Sequence, residues 1–448
     1  MTRAATFSED RRQIVHVAMG TLALSLRYLS AWQAMVLAGG AVAFNLYALP
    51  RLAGMLYRPG EVRRRLRSGI VLYPLAVLML IMLFPDRRDI IAAAWGMLAF
   101  GDGMATLVGR RSSGPRIPWN REKSMAGSIA FIVFGGAAAS FLCWWCRATV
   151  IPPPYPWFVF WIPWLAAITA AAVETIPIRL DDNISVPFSA AALLWFASLV
   201  SEDLAAQTLD AARTVLPWAI VANSVVAALG FLAGTVTIAG AICGAVIGML
   251  IVITAGWGGW GLLLATFMMA VVSSRLGLRR KTLLGIAEAR GGRRGAGNAI
   301  ANTGIAAAAA LLAAVTYAHE AGLIAFVAAL AAGGSDTVAS EIGKAFGRRT
   351  VLVPTFAPVP PGTSGAISAE GTAAGLIAAL ALAALGAAFG IVALTTVPAI
   401  VVAATIGAFA ESALGATLEG PGIVNNDVLN FVNTAIAAGV AVALAEAL

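Results

Sequence analysis

The feature that most constrains the fold of this chain is a succession of long apolar runs with almost no charge inside them. They fall at 69–85, 89–100, 125–142, 215–233, 237–255, 321–332, 372–399 and 429–448. In lipid, backbone N–H and C=O groups have no water to bond, and an α-helix satisfies them within its own segment. The composition agrees: the 448 residues are 60% hydrophobic and 12% charged, against about 25% charged in soluble domains. The 46 glycines allow close helix–helix approach. Helices are predicted near 14–30, 32–49, 69–85, 89–108, 125–143, 157–173, 187–200, 215–233, 237–254, 258–274, 297–317, 321–339, 367–386, 388–410 and 429–447. The expectation is an all-α, polytopic transmembrane bundle of about fifteen helices. Residues 1–12 are polar and no small-residue cleavage site follows the first apolar run, so no cleaved signal is expected.

The net charge of +8 is concentrated in clusters. These are Arg63, Arg64, Arg65 and Arg67; Arg110, Arg111, Arg116, Arg121 and Lys123; Arg275, Arg279, Arg280, Lys281, Arg290, Arg293 and Arg294; and Lys344, Arg348 and Arg349. Lys and Arg beside spans mark the cytoplasmic side. Alternation from a cytoplasmic N-terminus puts loops 50–68, 109–124, 174–186, 275–296, 340–366 and 411–428 inside, with nearly all of these clusters. The acidic stretch 201–213 then falls outside and divides the chain into halves 1–205 and 210–448. A basic balance of this kind suits lipid headgroups or phosphate ligands rather than nucleic acid. The expected setting is a bacterial inner membrane, with the polar loops facing the cytoplasm.

A spaced pattern occurs twice. Asp102, Ala105 and Gly109 are matched by Asp336, Ala339 and Gly343, 234 residues later. Ser124-Met-Ala-Gly127-Ser128 is echoed by Ser368-Ala-Glu-Gly371-Thr372, and Asp181-Asp182-Asn183 by Asn425-Asn426-Asp427. Ser124 to Asp181 and Ser368 to Asn425 both span 57 residues. Polar blocks in one order at one spacing indicate a unit built twice. With every block at the same membrane face, the halves are expected to be parallel repeats.

Carboxylates in apolar helices are costly and usually functional. Asp102, flanked by Gly101 and Gly103, is followed by Gly109, Arg110, Arg111, Lys123, Ser124 and Gly127. The set offers an oxygen ligand for a divalent cation and basic groups and free N–H groups for phosphates. Glu174 and Asp181-Asp182-Asn183 add further carboxylates. In the second half, Asn298 and Asn302 share a helix face, as do Asp336 and Ser340, with Glu341 beside them. The segment Gly362-Thr363-Ser364-Gly365 is the kind of loop that presents amides to anions. Asn426, Asn430 and Asn433 recur at helical spacing. Each block has a plainer reading: topology-setting arginines, helix N-caps, or amides bonding between membrane helices. His16, five residues after Arg11, fits either a base or a structural role. Cys143 and Cys146 read as small apolar residues at a helix end, and Trp144, Trp145, Trp157 and Trp161 as an interfacial belt.

Residues 10–200 resemble the dolichol kinase and phytol kinase family. The features that carry this are Arg11-Arg12-x-x-x-His16-x-x-x-Gly20, Gly101-Asp102-x-x-Ala105-x-x-x-Gly109-Arg110, Lys123-Ser124-x-x-Gly127-Ser128, and Glu174 with Asp181-Asp182-Asn183. Residues 215–448 resemble a membrane family, long of unknown function, that includes phytyl-phosphate kinase. They do so through Arg294-x-x-x-Asn298-x-x-x-Asn302, Ser335-Asp336-Thr-x-Ala339-Ser340-Glu341-x-Gly343, Pro361-Gly362-Thr363-Ser364-Gly365-x-x-Ser368-x-x-Gly371-Thr372 and Asn425-Asn426. Glu411-Ser412 stands where that family would have Asp-Ser.

The resemblance implies a bifunctional isoprenoid kinase that uses a nucleoside triphosphate such as CTP, with Mg²⁺, to make a prenyl monophosphate and then the diphosphate. It implies catalytic roles for Asp102, Lys123, Asp181, Asp182, Asp336 and Glu341, and metal ligation by Asp102, Asp182, Asp336 and Asp427. Nucleotide or phosphate would lie on Gly109, Arg110, Arg111, Ser124, Gly127, Asn183, Asn298, Asn302, Gly362–Gly365, Asn425 and Asn426. A lipid or anion transporter and a phosphatidate cytidylyltransferase-like synthase are the alternatives.

Overall fold

The computed structural model describes residues 9–52, 68–118, 120–176, 181–286, 292–353, 355–419 and 424–447. The arginines at 63–67 and Arg290 lie outside them. Among the described residues, eleven helical segments are long and apolar enough to cross a membrane. The protein is an all-α, multi-pass membrane protein. Large apolar side chains such as Trp161 and Leu232 are exposed on its surface, as lipid-facing side chains are. The first predicted span differs. Residues Glu9–Met19 (α1) and the 3₁₀ segment Gly20–Arg27 form one short helical arm that is not among the spans. Charge in its first turns, from Glu9 to Arg12, removes the apolar character a span needs.

The chain forms two compact units, Met1–Ser198 and Leu199–Leu448. The first contains α2 (Ala31–Ala43), α3 (Leu49–Leu52), α4 (Gly69–Leu83), α5 (Arg88–Gly96), α6 (Gly103–Arg111), α7 (Met125–Ala130), α8 (Gly136–Cys146), α9 (Pro156–Glu174) and α10 (Asp182–Ser198). A hairpin of β1 (Arg116–Ile117) and β2 (Asn120–Ser124) separates α6 from α7. Its core is small-residue rich: Ala92, Ala93, Ala94, Ala139 and Ala166 are fully buried, and Cys143 and Cys146 are free and buried among them.

The second unit comprises α11 (Glu202–Leu232), α12 (Ile238–Arg275), α13 (Leu278–Leu283), α14 (Ala296–Val315), α15 (His319–Phe346), α16 (Ala369–Ala388), α17 (Val397–Leu414) and α18 (Asn426–Ala447). Strands β3 (Thr350–Leu352), β4 (Ala357–Pro358) and β5 (Ala366–Ser368) lie between α15 and α16 in the order β4-β3-β5. The acidic stretch 201–213, expected as a connecting loop, is instead the first third of α11. Glu202 and Asp203 occupy its first turn, where the helix dipole favours negative charge, so the stretch starts a helix. The spans predicted at 237–254 and 258–274 are the two limbs of α12, broken at Gly256 (φ 69°), a conformation open to glycine. The limbs fold back on each other. Asn223 accepts from Trp260 Nε1 at 3.0 Å and also abuts Gly248 on the other limb.

The duplicated motif is a packing device. In the first unit Gly109 of α6 faces Gly127 of α7. Ser124 caps α7 by accepting from Gly127 N at 3.1 Å, and a Cβ on Gly127 would lie 3.0 Å from the Ala105 carbonyl oxygen. In the second unit Gly343 faces Gly371 and Ser368 accepts from Gly371 N at 3.1 Å. A Cβ on Gly371 would come within 2.6 Å of the Ala339 oxygen. Each motif thus brings two helices to glycine-backbone distance just beyond a short strand. Gly371→Ala has no flexible neighbour to displace. It is expected to destabilise the protein by about 1–3 kcal/mol, measured as thermal unfolding in detergent. A stability equal to wild type would show that α15 and α16 are not held this closely.

Candidate functional site

Asp102 ends a π-helical turn, Met97–Asp102, between α5 and α6. Such turns insert a residue into the helix and often mark functional sites. Bare Gly101 and Gly103 let Phe131 and Val17 close over either side of Asp102, which is 8% exposed. Glu174 is the last residue of α9 and Asp182 the first of α10. Lys123, from β2, reaches between them. Its Nζ donates to Glu174 Oε1 at 2.6 Å and to Asp182 Oδ2 at 2.8 Å. One oxygen from each of Asp102, Glu174 and Asp182 lies within 4.8 Å of the others. Burial opposes the Lys123 charge, but Glu174 and Asp182 outweigh it and hold the ammonium above the usual lysine range. Lys123 therefore stays protonated at any physiological pH.

Three carboxylates and one ammonium leave a formal charge of −2, and Glu174 Oε2 is buried without a partner. Hard oxygen donors carrying that residual charge fit a divalent cation such as Mg²⁺. Asp102, Glu174 and Asp182 would hold it, with Lys123 beside it for phosphate oxygens. His16 of α1 closes the other side. Its Nε2 lies 2.9 Å from the Leu98 carbonyl oxygen and 3.6 Å from Asp102 Oδ2, and its ring packs edge-on against Tyr73.

Other expected members of this site do different work. Asp181 Oδ1 accepts from Asn183 N (3.0 Å) and Asn183 Nδ2 (2.7 Å), so it caps α10. Arg110 and Arg111 point to Asp10 (3.6 and 2.9 Å) and are more than half exposed, forming surface pairs of small energetic consequence. Gly109, Ser124 and Gly127 make the helix contact described above. Asn183, whose Oδ1 is buried without a partner, stands with Arg12 against Gly69. Arg12 carries no weight in the sequence expectation beyond its place in the motif.

The second unit encloses a polar cavity of about 470 Å³. Asp336, Glu341, Asn298, Asn426 and the whole Gly362–Gly365 loop line it, as do Glu411, Ser412, Asn430, Arg294 and Lys344. Gly362 and Gly365 have φ of 86° and 75°, and a Cβ on Gly365 would strike the Ser412 carbonyl oxygen and Ala416 N. The loop is therefore pressed against α17 in a shape that only glycine permits.

Asp336 and Glu411 stand carboxyl to carboxyl. Glu411 Oε2 and Asn430 Oδ1 are buried without partners, with Asn433 behind them beside the Glu411 carboxyl. Orphaned buried oxygens are rare and call for an absent partner. Here Asp336, Glu411 and Asn430 supply oxygen donors that fit Mg²⁺.

The expected ligand Asp427 is not among the lining residues; its carboxylate packs against bare Gly297 at the start of α14. Asn425 also stands away from the cavity and caps α18, its Oδ1 accepting from Val428 N at 3.0 Å. Asn302 lines a neighbouring apolar cavity instead. Glu341, although at the cavity wall, is 2% exposed and bound to fully buried Lys281 (2.5 Å) and to Lys344 (3.2 Å). Glu411, which the resemblance set in the place of an Asp still able to bind metal, does line the cavity, although it lies in an apolar helix outside the duplicated blocks. Lys281 was hidden in a basic cluster read as topological.

Comparison with known proteins accords with this architecture. Residues 221–438 match the family model described as integral membrane protein DUF92. An uncharacterized membrane protein of Synechocystis sp., sll0875, is 38% identical over 204 residues, 44% of this chain and 78% of the relative. Protein VTE6 of Arabidopsis thaliana chloroplasts is 33% identical over 201 residues, 43% of this chain but only 60% of the relative. A probable phytol kinase of Zea mays chloroplasts is 30% identical over 209 residues, 42% of this chain and 67% of the relative. No solved structure matches the chain. Over residues 221–438, nearly all of its second unit, the chain belongs to the DUF92 family of integral membrane proteins.

Proposed function

We propose that the protein is an isoprenoid kinase that phosphorylates a prenol to its monophosphate in the first unit and the monophosphate to the diphosphate in the second, with a nucleoside triphosphate such as CTP as donor. The observation that carries this reading is the buried cluster of Asp102, Glu174 and Asp182 around Lys123, in a membrane protein with a relative named as a probable phytol kinase. Phosphoryl transfer forms a bond from the acceptor oxygen to the γ-phosphorus and breaks the γ-phosphorus bond to the β-bridging oxygen. It needs positioning and charge neutralisation more than covalent help. Lys123 supplies a permanent positive charge for the phosphates. A Mg²⁺ ion on the carboxylates would neutralise charge on the β- and γ-oxygens. In the second unit the Gly362–Gly365 loop, Arg294 and Lys344 offer amides and cations to a triphosphate in the cavity that the Asp336–Glu411 pair also lines. Two sites with different polar equipment suit two successive acceptors, an alcohol and then a phosphate.

The test is purified protein with γ-labelled nucleotides, Mg²⁺ and phytol, farnesol or geranylgeraniol. Labelled monophosphate and diphosphate are expected, and Asp336→Asn is expected to stop the products at the monophosphate. No labelled product with any nucleotide would reject the kinase reading, and release of pyrophosphate would replace it with cytidylyl transfer. If Asp336→Asn made diphosphate at the wild-type rate, the second step would not belong to this cavity.

A further inference from the structure

Beside the polar cavity of the second unit lies a smaller one of about 130 Å³, lined by α11, α12, α14 and α15. The two share Arg294, Asn298 and Thr337 in their walls. Away from those residues the small cavity is mostly apolar, with Val226, Ala227, Gly244, Leu263 and Phe267 on its sides, Trp260, held by Asn223, across it, and Asn302 as a polar exception. We propose that it holds the hydrocarbon chain of a single-chain amphiphile whose anionic head lies at Arg294 and Asn298 in the polar cavity. The proposal rests on the kinase reading only for the name of that amphiphile, a prenyl monophosphate awaiting its second phosphate.

Three observations support this occupant. First, the polarity changes at the shared wall. Arg294 and the first turn of α14, whose N-terminal dipole end favours an anion, stand on one side and an aliphatic surface on the other. Second, Asn302 is 8% exposed and lines the apolar cavity one turn beyond Asn298, with its Oδ1 buried and unpartnered. A wholly hydrocarbon occupant would leave that oxygen unsatisfied, whereas a protonated oxygen of a head seated at the shared wall can donate to it, with the tail beginning beyond Asn302. Bare Gly333 gives it room, since a Cβ there would lie 3.4 Å from Oδ1. Third, the size suits one chain. A cavity near this volume accepts one benzene-sized apolar group, so two acyl chains side by side do not fit. The remainder of the chain would lie along α11 and α12, where Leu229 and Val246 are exposed.

Gly244 offers a direct test, because it lines the cavity and a Cβ built on it meets nothing within 4 Å. Gly244 is exposed at the edge of the tail cavity and absent from the polar one, so Gly244→Phe sets a ring across the tail's path without touching the polar cavity. In nanodiscs, without nucleotide, it is expected to weaken binding of a twenty-carbon isoprenyl monophosphate by about tenfold or more, the loss of roughly two buried methylenes. Binding of methyl phosphate, which has no tail to seat in the cavity, should change by less than about twofold on the same scale. A monophosphate carrying a diazirine at its tail end should label α11 and α12 of the wild-type protein, a readout independent of the variant's folding.

Equal effects of Gly244→Phe on both ligands, no effect on either, or labelling confined to other helices would overturn the proposal. Failure of the kinase reading would look different. The twenty-carbon ligand would bind with full sensitivity to Gly244→Phe and label the same helices, yet yield no product with any nucleotide.

Discussion

Asp102→Asn is expected to slow conversion of a prenol to its monophosphate by about 10²–10³-fold, the scale lost when one charge-stabilising group is removed from a preorganised site. Asparagine keeps the shape and a hydrogen-bonding oxygen but removes a charge. The cluster of Asp102, Glu174 and Asp182 around Lys123 would then carry −1 rather than −2, a weaker match for a divalent cation. The loss should be read in kcat/KM for the alcohol and should be eased by raising Mg²⁺. Diphosphate formation from supplied monophosphate should be unchanged, because Asp102 belongs to the first unit and the Asp336–Glu411 pair to the second. A variant that phosphorylates prenols at the wild-type rate would remove the carboxylate cluster from the chemistry. Loss of both steps together would overturn the division of labour between the units.

The fold was largely legible because lipid leaves so few options. Apolar runs had to be helices, and the gap left between the helices expected at 237–254 and 258–274 contains Gly256, where α12 breaks. The sequence did not show which polar residues meet. Asp181 and Asn425 have residue types that serve equally as ligands and as N-caps, and only geometry shows that each spends its side chain on a backbone N–H. Arg110 and Arg111 follow Asp102 by two helical turns, but the helix carries them outward to Asp10. Local spacing reveals neighbours along one helix, whereas the contacts here join residues 51 to 60 positions apart: Lys123 with Glu174 and Asp182, and Lys281 with Glu341. The duplicated Asp-x-x-Ala-x-x-x-Gly pattern was visible and half understood. Its Asp stands in each site, while its Ala and Gly bring the following capped helix close enough to complete the surroundings.

Lys281→Met is expected to be among the most destabilising single substitutions in the protein. Lys281 is 1% exposed, and its Nζ donates to Glu341 Oε2 at 2.5 Å and to the Ser274 carbonyl oxygen at 2.6 Å. Methionine matches its length but leaves the Glu341 carboxylate buried with only Lys344 at 3.2 Å. Removing one partner of a buried pair costs about 3–5 kcal/mol, and the surviving contact with Lys344 places the loss toward the lower end. That corresponds to a fall in unfolding temperature of roughly 6–12 °C for a unit of this size. If the pair is structural, Lys281→Met combined with Glu341→Leu should recover most of the stability, because two apolar groups of similar volume replace a buried ion pair at little net cost. The double variant should also retain diphosphate formation, which separates Glu341 from Asp336 and Glu411 in the same cavity. A stable double variant blocked at the monophosphate would instead return Glu341 to the chemistry, with Lys281 as the residue that positions it.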